Sequence, residues 1–177
     1  MKKKTLALVL ALTLLVAGVV GGTLAWLTDR TAEVKNTFTV GDINIGLTET
    51  TTDYKMVPGN TIAKDPTVTV KANSEACWLF VQITESADLK DFITYAIAEG
   101  WTALPGVDGV YYREVPASAA DQTFSVLAGD AVTVKSDVTR TMLETAKTDA
   151  PTLTFQAYAI QKDHFATADA AWAEVSK

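Results

Sequence analysis

One cysteine, Cys77, and one histidine, His164, occur in the 177 residues. A lone cysteine cannot form an intramolecular disulfide or supply a thiolate zinc cluster, and a lone imidazole cannot build a histidine-rich zinc site. The chain also lacks a His-Glu-x-x-His pair, a Gly-x-Ser-x-Gly elbow and a phosphate-cradling glycine loop. No catalytic, cofactor-binding or metal-ligating residues are therefore expected, and no enzymatic activity. Calcium is disfavoured too, since no Asp-x-Asp-x-Asp-Gly loop occurs and singly spaced carboxylates are usually a solvated face. Cys77 lies in Cys77-Trp78-Leu79-Phe80-Val81-Gln82-Ile83 and shares parity with Leu79, Val81 and Ile83, so a buried, inert thiol is expected. His164 is expected at a strand-to-helix turn, exposed or capping.

Positive charge is scarce as well. The formal net charge is −6, but Lys2, Lys3 and Lys4 precede everything else; beyond Ala25, 12 basic residues face 21 acidic ones, a net of −9. The remaining Lys and Arg are scattered singly, without aromatic interleaving. Such a surface repels phosphate backbones, which excludes nucleic acid as an expected partner.

Charge is absent altogether from Thr5 to Leu27, a run of 23 residues behind three lysines. That length can span a bilayer as a helix, and the preceding lysines would hold the N-terminus in the cytoplasm and send the rest across. Gly21-Gly22 weakens the helix ahead of Thr23-Leu24-Ala25, whose small residues at −3 and −1 suit a signal peptidase. A signal peptide over residues 1–25, cleaved between Ala25 and Trp26, is the expectation; an uncleaved membrane anchor is the alternative. The closing Ala171-Trp172-Ala173-Glu174-Val175-Ser176-Lys177 carries no hydrophobic tail or sorting motif, so retention at a surface is expected to come from assembly.

Beyond Asp29 the dominant period is two. Val34, Phe38 and Val40, then Ile43, Ile45 and Leu47, alternate with polar residues, and the pattern returns at Val68 and Val70, Cys77 to Ile83, Phe124 and Val126, Val132 and Val134, and Leu153 to Ala159. Threonines fill many intervening positions. Turn residues separate the runs at Gly41-Asp42, Pro58-Gly59-Asn60, Asp65-Pro66, Pro105-Gly106, Asp108-Gly109 and Gly129-Asp130. Many short strands punctuated in this way predict an all-β fold, an antiparallel sandwich forming one domain over residues 26–177.

Two or three short helices interrupt it. Leu89, Phe92, Ile93, Ala96 and Ile97 have helical spacing, which predicts about three turns over residues 88–100, capped by Ser86 or Asp88 and closed by Gly100. Phe165, Ala168, Trp172 and Val175 share one face of a second helix. A third is expected around residues 139–146. Trp78, Phe80, Trp101, Tyr111 and Tyr112 are read as core and cross-strand packing in preference to a carbohydrate platform.

Three features in order along the chain carry a resemblance. They are the long signal ending Gly21-Gly22-Thr23-Leu24-Ala25 before Trp26-Leu27-Thr28-Asp29, the lead Asn36-Thr37-Phe38-Thr39-Val40-Gly41, and Val57-Pro58-Gly59-Asn60-Thr61-Ile62-Ala63-Lys64-Asp65. Together with Phe155-Gln156-Ala157-Tyr158-Ala159-Ile160-Gln161 and the closing Ala-Trp segment, the chain resembles the TasA and camelysin family of exported Gram-positive proteins, whose signals are processed by a SipW-type peptidase. Asn60 stands where that family commonly has Asp. The resemblance implies a jelly-roll-like sandwich, secretion to the extracellular matrix or cell surface, and self-association into fibres through donation of an N-terminal strand. The residues that would form the donated strand here are Trp26, Leu27, Val34, Phe38 and Val40. Two other readings stay open: a monomeric surface ligand-binding or adhesion module, and the neutral metallopeptidase activity described for camelysin, for which this chain lacks a recognisable zinc-peptidase pattern.

Overall fold

The computed structural model describes residues 42–51 and 54–177, and these described residues form one compact unit. The expected signal peptide, the boundary at Trp26 and the strand from Trp26 to Val40 lie outside the described residues. Ten strands follow: β1 (Ile45–Thr48), β2 (Thr61–Ala63), β3 (Thr67–Val70), β4 (Cys77–Glu85), β5 (Ile93–Thr94), β6 (Thr102–Ala103), β7 (Val110–Val115), β8 (Gln122–Ser125), β9 (Ala131–Val134) and β10 (Leu153–Gln161). Three short helices accompany them: α1 (Leu89–Phe92), α2 (Arg140–Ala146) and α3 (Ala168–Val175). All strand pairing is antiparallel. The fold is an all-β sandwich decorated with short helices.

The strands form sheets in the orders β1-β3-β8, β2-β9-β5 and β10-β4-β7-β6. The first two are halves of one bent ribbon. Residues 61–70 run antiparallel to residues 122–134, with β3 on β8 and β2 on β9. Across the bend the backbone stays connected, since Lys64 N–H donates to Asp130 O at 2.7 Å and Val126 N–H to Pro66 O at 2.9 Å. Pro66 has no N–H to give and sits buried at the corner, where a ladder bond is already interrupted. Gly129, at φ 67, makes the matching turn on the opposite strand.

The bent ribbon faces the inner side of the β10-β4-β7-β6 sheet. Val68, Val70, Leu79, Val81, Val115 and Val126 meet between them, each at most 1 % exposed. The outer side of β4 is covered too. Trp78 and Phe80 pack with Val110 and Leu104 beneath Ala168, Ala171 and Trp172 of α3. Here the structure departs from the expected half-buried alternation: Cys77 to Val81 are all buried, because a helix laid across the outer face removes the solvent side. A continuous apolar run is the sequence form of a strand covered on both faces.

The helix expected over residues 88–100 is the larger correction. Only α1 forms, a single turn, after which Ile93 pairs with Val134 and Ile97 bridges Leu127. The β-branched Ile93 and Thr94 gain ladder bonds to β9 that a free helix would not offer, so tertiary pairing overrides the helical spacing. Neither expected cap is used: Asp88 makes no side-chain cap bond, and Ser86 Oγ donates to Asp88 and accepts from Thr152 N–H. Gly100 does end the segment in a turn, at φ 86. The other two helices form, but the last begins later than expected: Phe165, read as part of its apolar face, is extended at φ −132 and reaches the same cluster from outside the helix. Each is started by a threonine: Thr139 Oγ1 accepts from Met142 N–H and Thr167 Oγ1 from Ala170 N–H, both at 3.3 Å.

Candidate functional site

The sequence-expected candidates separate cleanly. Cys77 is buried at the start of β4, and burial pushes its thiol up to about 11, which suppresses the thiolate at neutral pH. His164 is exposed in the 3-10 turn Lys162–His164. The five aromatic residues divide between two faces. Trp78, Phe80 and Tyr112 join Trp172 and Tyr158 under α3, with Trp172 centred 5.3 Å from Phe80 and 5.2 Å from Tyr158. Trp101 and Tyr111 belong to the inner core, so no shared platform forms. No group of three or more metal-binding side chains occurs among the described residues, and none of their helices is long and apolar enough to cross a membrane. Ala25, Trp26, Leu27, Val34, Phe38 and Val40 lie outside the described residues.

What the structure does present is an open flank. β10 pairs with β4 along its whole length, from Leu153 opposite Glu85 to Gln161 opposite Cys77. Its other edge has no strand partner among the described residues. Directly across the sandwich, β1 is likewise an edge, paired among the described residues only with β3. The inward side chains along this flank, Phe155, Ala157 and Ala159 from β10 and Ile43 and Ile45 beside and within β1, are only partly covered by the core they touch. A nine-residue strand with one row of backbone groups unpaired among the described residues, and half-covered inward side chains, is a template for another strand.

At the Leu153 end of that flank, residues 49–51 and 54–56 form a strap against the corner of the bent ribbon. Lys64, at the ribbon's corner, is 6 % exposed. Its Nζ donates to Glu49 Oε1 at 2.6 Å and lies 4.7 Å from the Tyr54 ring centre and 5.3 Å from that of Phe155. The Tyr54 hydroxyl donates to the same Glu49 oxygen at 2.8 Å, and burial, then this carboxylate, hold the phenol well above its ordinary range. Next to it, Asp65 accepts from the Thr50 backbone N–H at 3.0 Å and from the Thr50 hydroxyl. Lys64 and Asp65 therefore hold the adjacent Glu49 and Thr50, Lys64 by an ion pair and Asp65 by two hydrogen bonds, and Lys64 also meets the Tyr54 ring. Beneath it lies a groove of about 450 Å³ lined by Met56, Ile62, Leu89, Ile93, Val132 and Leu153, with Lys64 at its wall.

Sequence reasoning missed this cluster. Lys64 and Asp65 stood within the Val57 to Asp65 motif, but nothing in the motif's composition marks Lys64 as buried, and Glu49 sits 15 residues away. No family model matches the chain, and no characterised protein or solved structure matches it.

Proposed function

We propose that this chain is an exported structural subunit of extracellular-matrix or cell-surface fibres, in which residues 26–40 of one copy add as a strand to the free edge of β10 in the next. The observation that carries this reading is the open flank: among the described residues, the nine of β10 are paired on one side only, with Phe155, Ala157 and Ala159 half-covered beside Ile43 and Ile45. An added strand would satisfy the free backbone groups and place alternate side chains against that gap. Trp26, Leu27, Val34, Phe38 and Val40 supply the apolar side chains, and the stretch precedes β1, so it can leave without disrupting the ladders behind it. A head-to-tail contact of this kind does not close and generates a filament. The SipW-type signal that residues 1–25 resemble is consistent with delivery outside the cell.

The competing occupant is the same segment folded back on its own subunit, which enjoys an effective concentration in roughly the mM range. Deleting residues 26–35 separates the two. A folded monomer that no longer forms fibres by electron microscopy supports donation. Fibres of unchanged yield and morphology, or a chain that fails to fold, overturn it.

The groove beneath the strap favours a second reading, a surface module that binds a small ligand, since its volume lies within the roughly 300–1,000 Å³ of such sites. One-to-one binding of the anionic dye anilinonaphthalene sulfonate, abolished by Ile62→Trp, by a protein that forms no fibres would select it.

A further inference from the structure

The polar groups in the wall of the groove beneath the strap are engaged with one another. Lys64 Nζ donates to Glu49 Oε1 at 2.6 Å and lies against the Tyr54 and Phe155 rings. The Tyr54 hydroxyl donates in turn to the same Glu49 oxygen and to the Thr51 carbonyl. An ammonium met by a carboxylate and two ring faces, beside a phenol whose proton is already shared, leaves this wall electrically matched.

The rest of the lining is mostly hydrocarbon. Ile62 on β2 stands opposite Val132 on β9, and Ile93 on β5 stands opposite Val134, two residues further along the same face of β9. Three β-branched side chains, Ile62, Val132 and Ile93, therefore line the groove from one sheet, and such side chains have few rotamers through which to swing in and close it. Met56, Leu89 and Leu153 add to the apolar lining, and the exposed Thr152 and Thr154 stand at its lip.

Resting on the ligand-binding reading of this groove, we propose that it takes a small uncharged amphiphile, an aliphatic chain ended by a hydroxyl, with the chain against the hydrocarbon lining and the hydroxyl at Thr152 and Thr154. Charge selects the class. A carboxylate head would find Lys64 already matched and Glu49 beside it, and a cationic head would have to compete with Lys64 for Glu49, so either would give up water without a free counter-charge in return. A hydroxyl needs only a neutral partner, which a threonine supplies. The volume of about 450 Å³ falls within the roughly 300–1,000 Å³ of small-molecule sites.

Calorimetric titration of the protein purified from cells that express the whole chain tests it, with decanol, decanoate and decyltrimethylammonium as probes. Decanol is expected to bind one-to-one, with its shorter homologues about fourfold weaker for each methylene removed. The two charged probes should bind at least about tenfold more weakly than decanol. Ile62→Trp should abolish binding; if that variant does not fold, Overhauser contacts between bound decanol and the Met56 methyl place the alcohol in the same groove. Decanol bound without contact to Met56, or a charged probe bound as tightly as decanol, overturns the proposal. Binding of anilinonaphthalene sulfonate without any of decanol also overturns it, while the ligand-binding reading of the groove stands; binding of neither removes both. Decanol binding that appears only after residues 26–35 are deleted assigns the groove to the chain's own N-terminal segment and overturns the proposal as well.

Discussion

Glu49 and Lys64 form an ion pair whose side chains are 17 % and 8 % exposed, with Oε1 and Nζ 2.6 Å apart. Both charges are largely removed from water, so the pair matters most through what happens when half of it is lost. Glu49→Ala strands the ammonium between the Tyr54 and Phe155 rings and is expected to cost about 3 kcal/mol. Lys64→Met keeps the apolar stem and leaves Glu49 with the Tyr54 hydroxyl, so it should cost less. Tyr54→Phe removes the hydroxyl proton shared between Glu49 and the Thr51 carbonyl, worth about 1 kcal/mol. Urea denaturation of the three variants checks the order; equal losses for Glu49→Ala and Tyr54→Phe would contradict it.

Acid should loosen two surface ties. Asp121 accepts from Ala72 N–H at 2.8 Å and from Lys71 Nζ at 3.1 Å, and in that order these bonds hold its pKa below the usual carboxylate value. Asp65 is lowered in the same direction, first by the Thr50 hydroxyl and then by the Thr50 backbone. A carboxylate with a depressed folded pKa stabilises above its unfolded value, about 3.9, and loses that contribution as pH falls through the folded one. Asp121→Asn and Asp65→Asn should therefore lower thermal stability at pH 7 and converge with the parent chain near pH 2. Curves that stay parallel down to that pH would remove these groups from the acid response.

Cys77 offers a clock for global opening. Its thiol, raised to about 11 by burial, should resist aromatic disulfide reagents at pH 8 in the folded protein and react at once in denaturant. Labelling kinetics that match unfolding rates are the expected result. Fast labelling under native conditions would mean that the end of β4 opens locally.

Trp172 fastens α3 to the sheet. Trp172→Ala removes its ring contacts with Phe80 and Tyr158 and should cost about 3–5 kcal/mol. The inner core does not include Trp172, so far-ultraviolet circular dichroism should retain its β character while the near-ultraviolet signal falls. Loss of both together would show that the sandwich depends on the helix.

Local patterns carried most of the fold. Val68 and Val70, Val132 and Val134, and Leu153 to Ala159 alternate because each strand faces the core on one side, and the sequence period reports that directly. The helices at Arg140–Ala146 and Ala168–Val175 were legible locally, although their threonine caps were not singled out. What failed was non-local. Trp78 and Phe80 pack as expected, but that β4 is covered on both faces rather than half-buried depends on α3, about ninety residues later, and the strand at Ile93 depends on β9. Lys64 was illegible for the same reason: it becomes unusual only through residues brought to it by the bent ribbon. The flank at β10 was half legible, since Leu153 to Ala159 read as a strand but an edge cannot be told from a central position by periodicity alone.

The order in which β4 gains its neighbours bears on how the chain reaches this state. β4 is central to its sheet, yet β7, β10 and α3 all follow it, and its longest ladder joins Cys77 to Gln161. Until the last strand arrives, the most apolar stretch of the molecule has one edge and much of its surface uncovered. Pairings so distant in sequence place folding in the millisecond-to-second regime of all-β chains, and they make closure late and cooperative. During that interval β4 is the segment most exposed to mispairing with other chains, so conditions that delay β10 should raise the yield of aggregates before they lower the stability of molecules already folded.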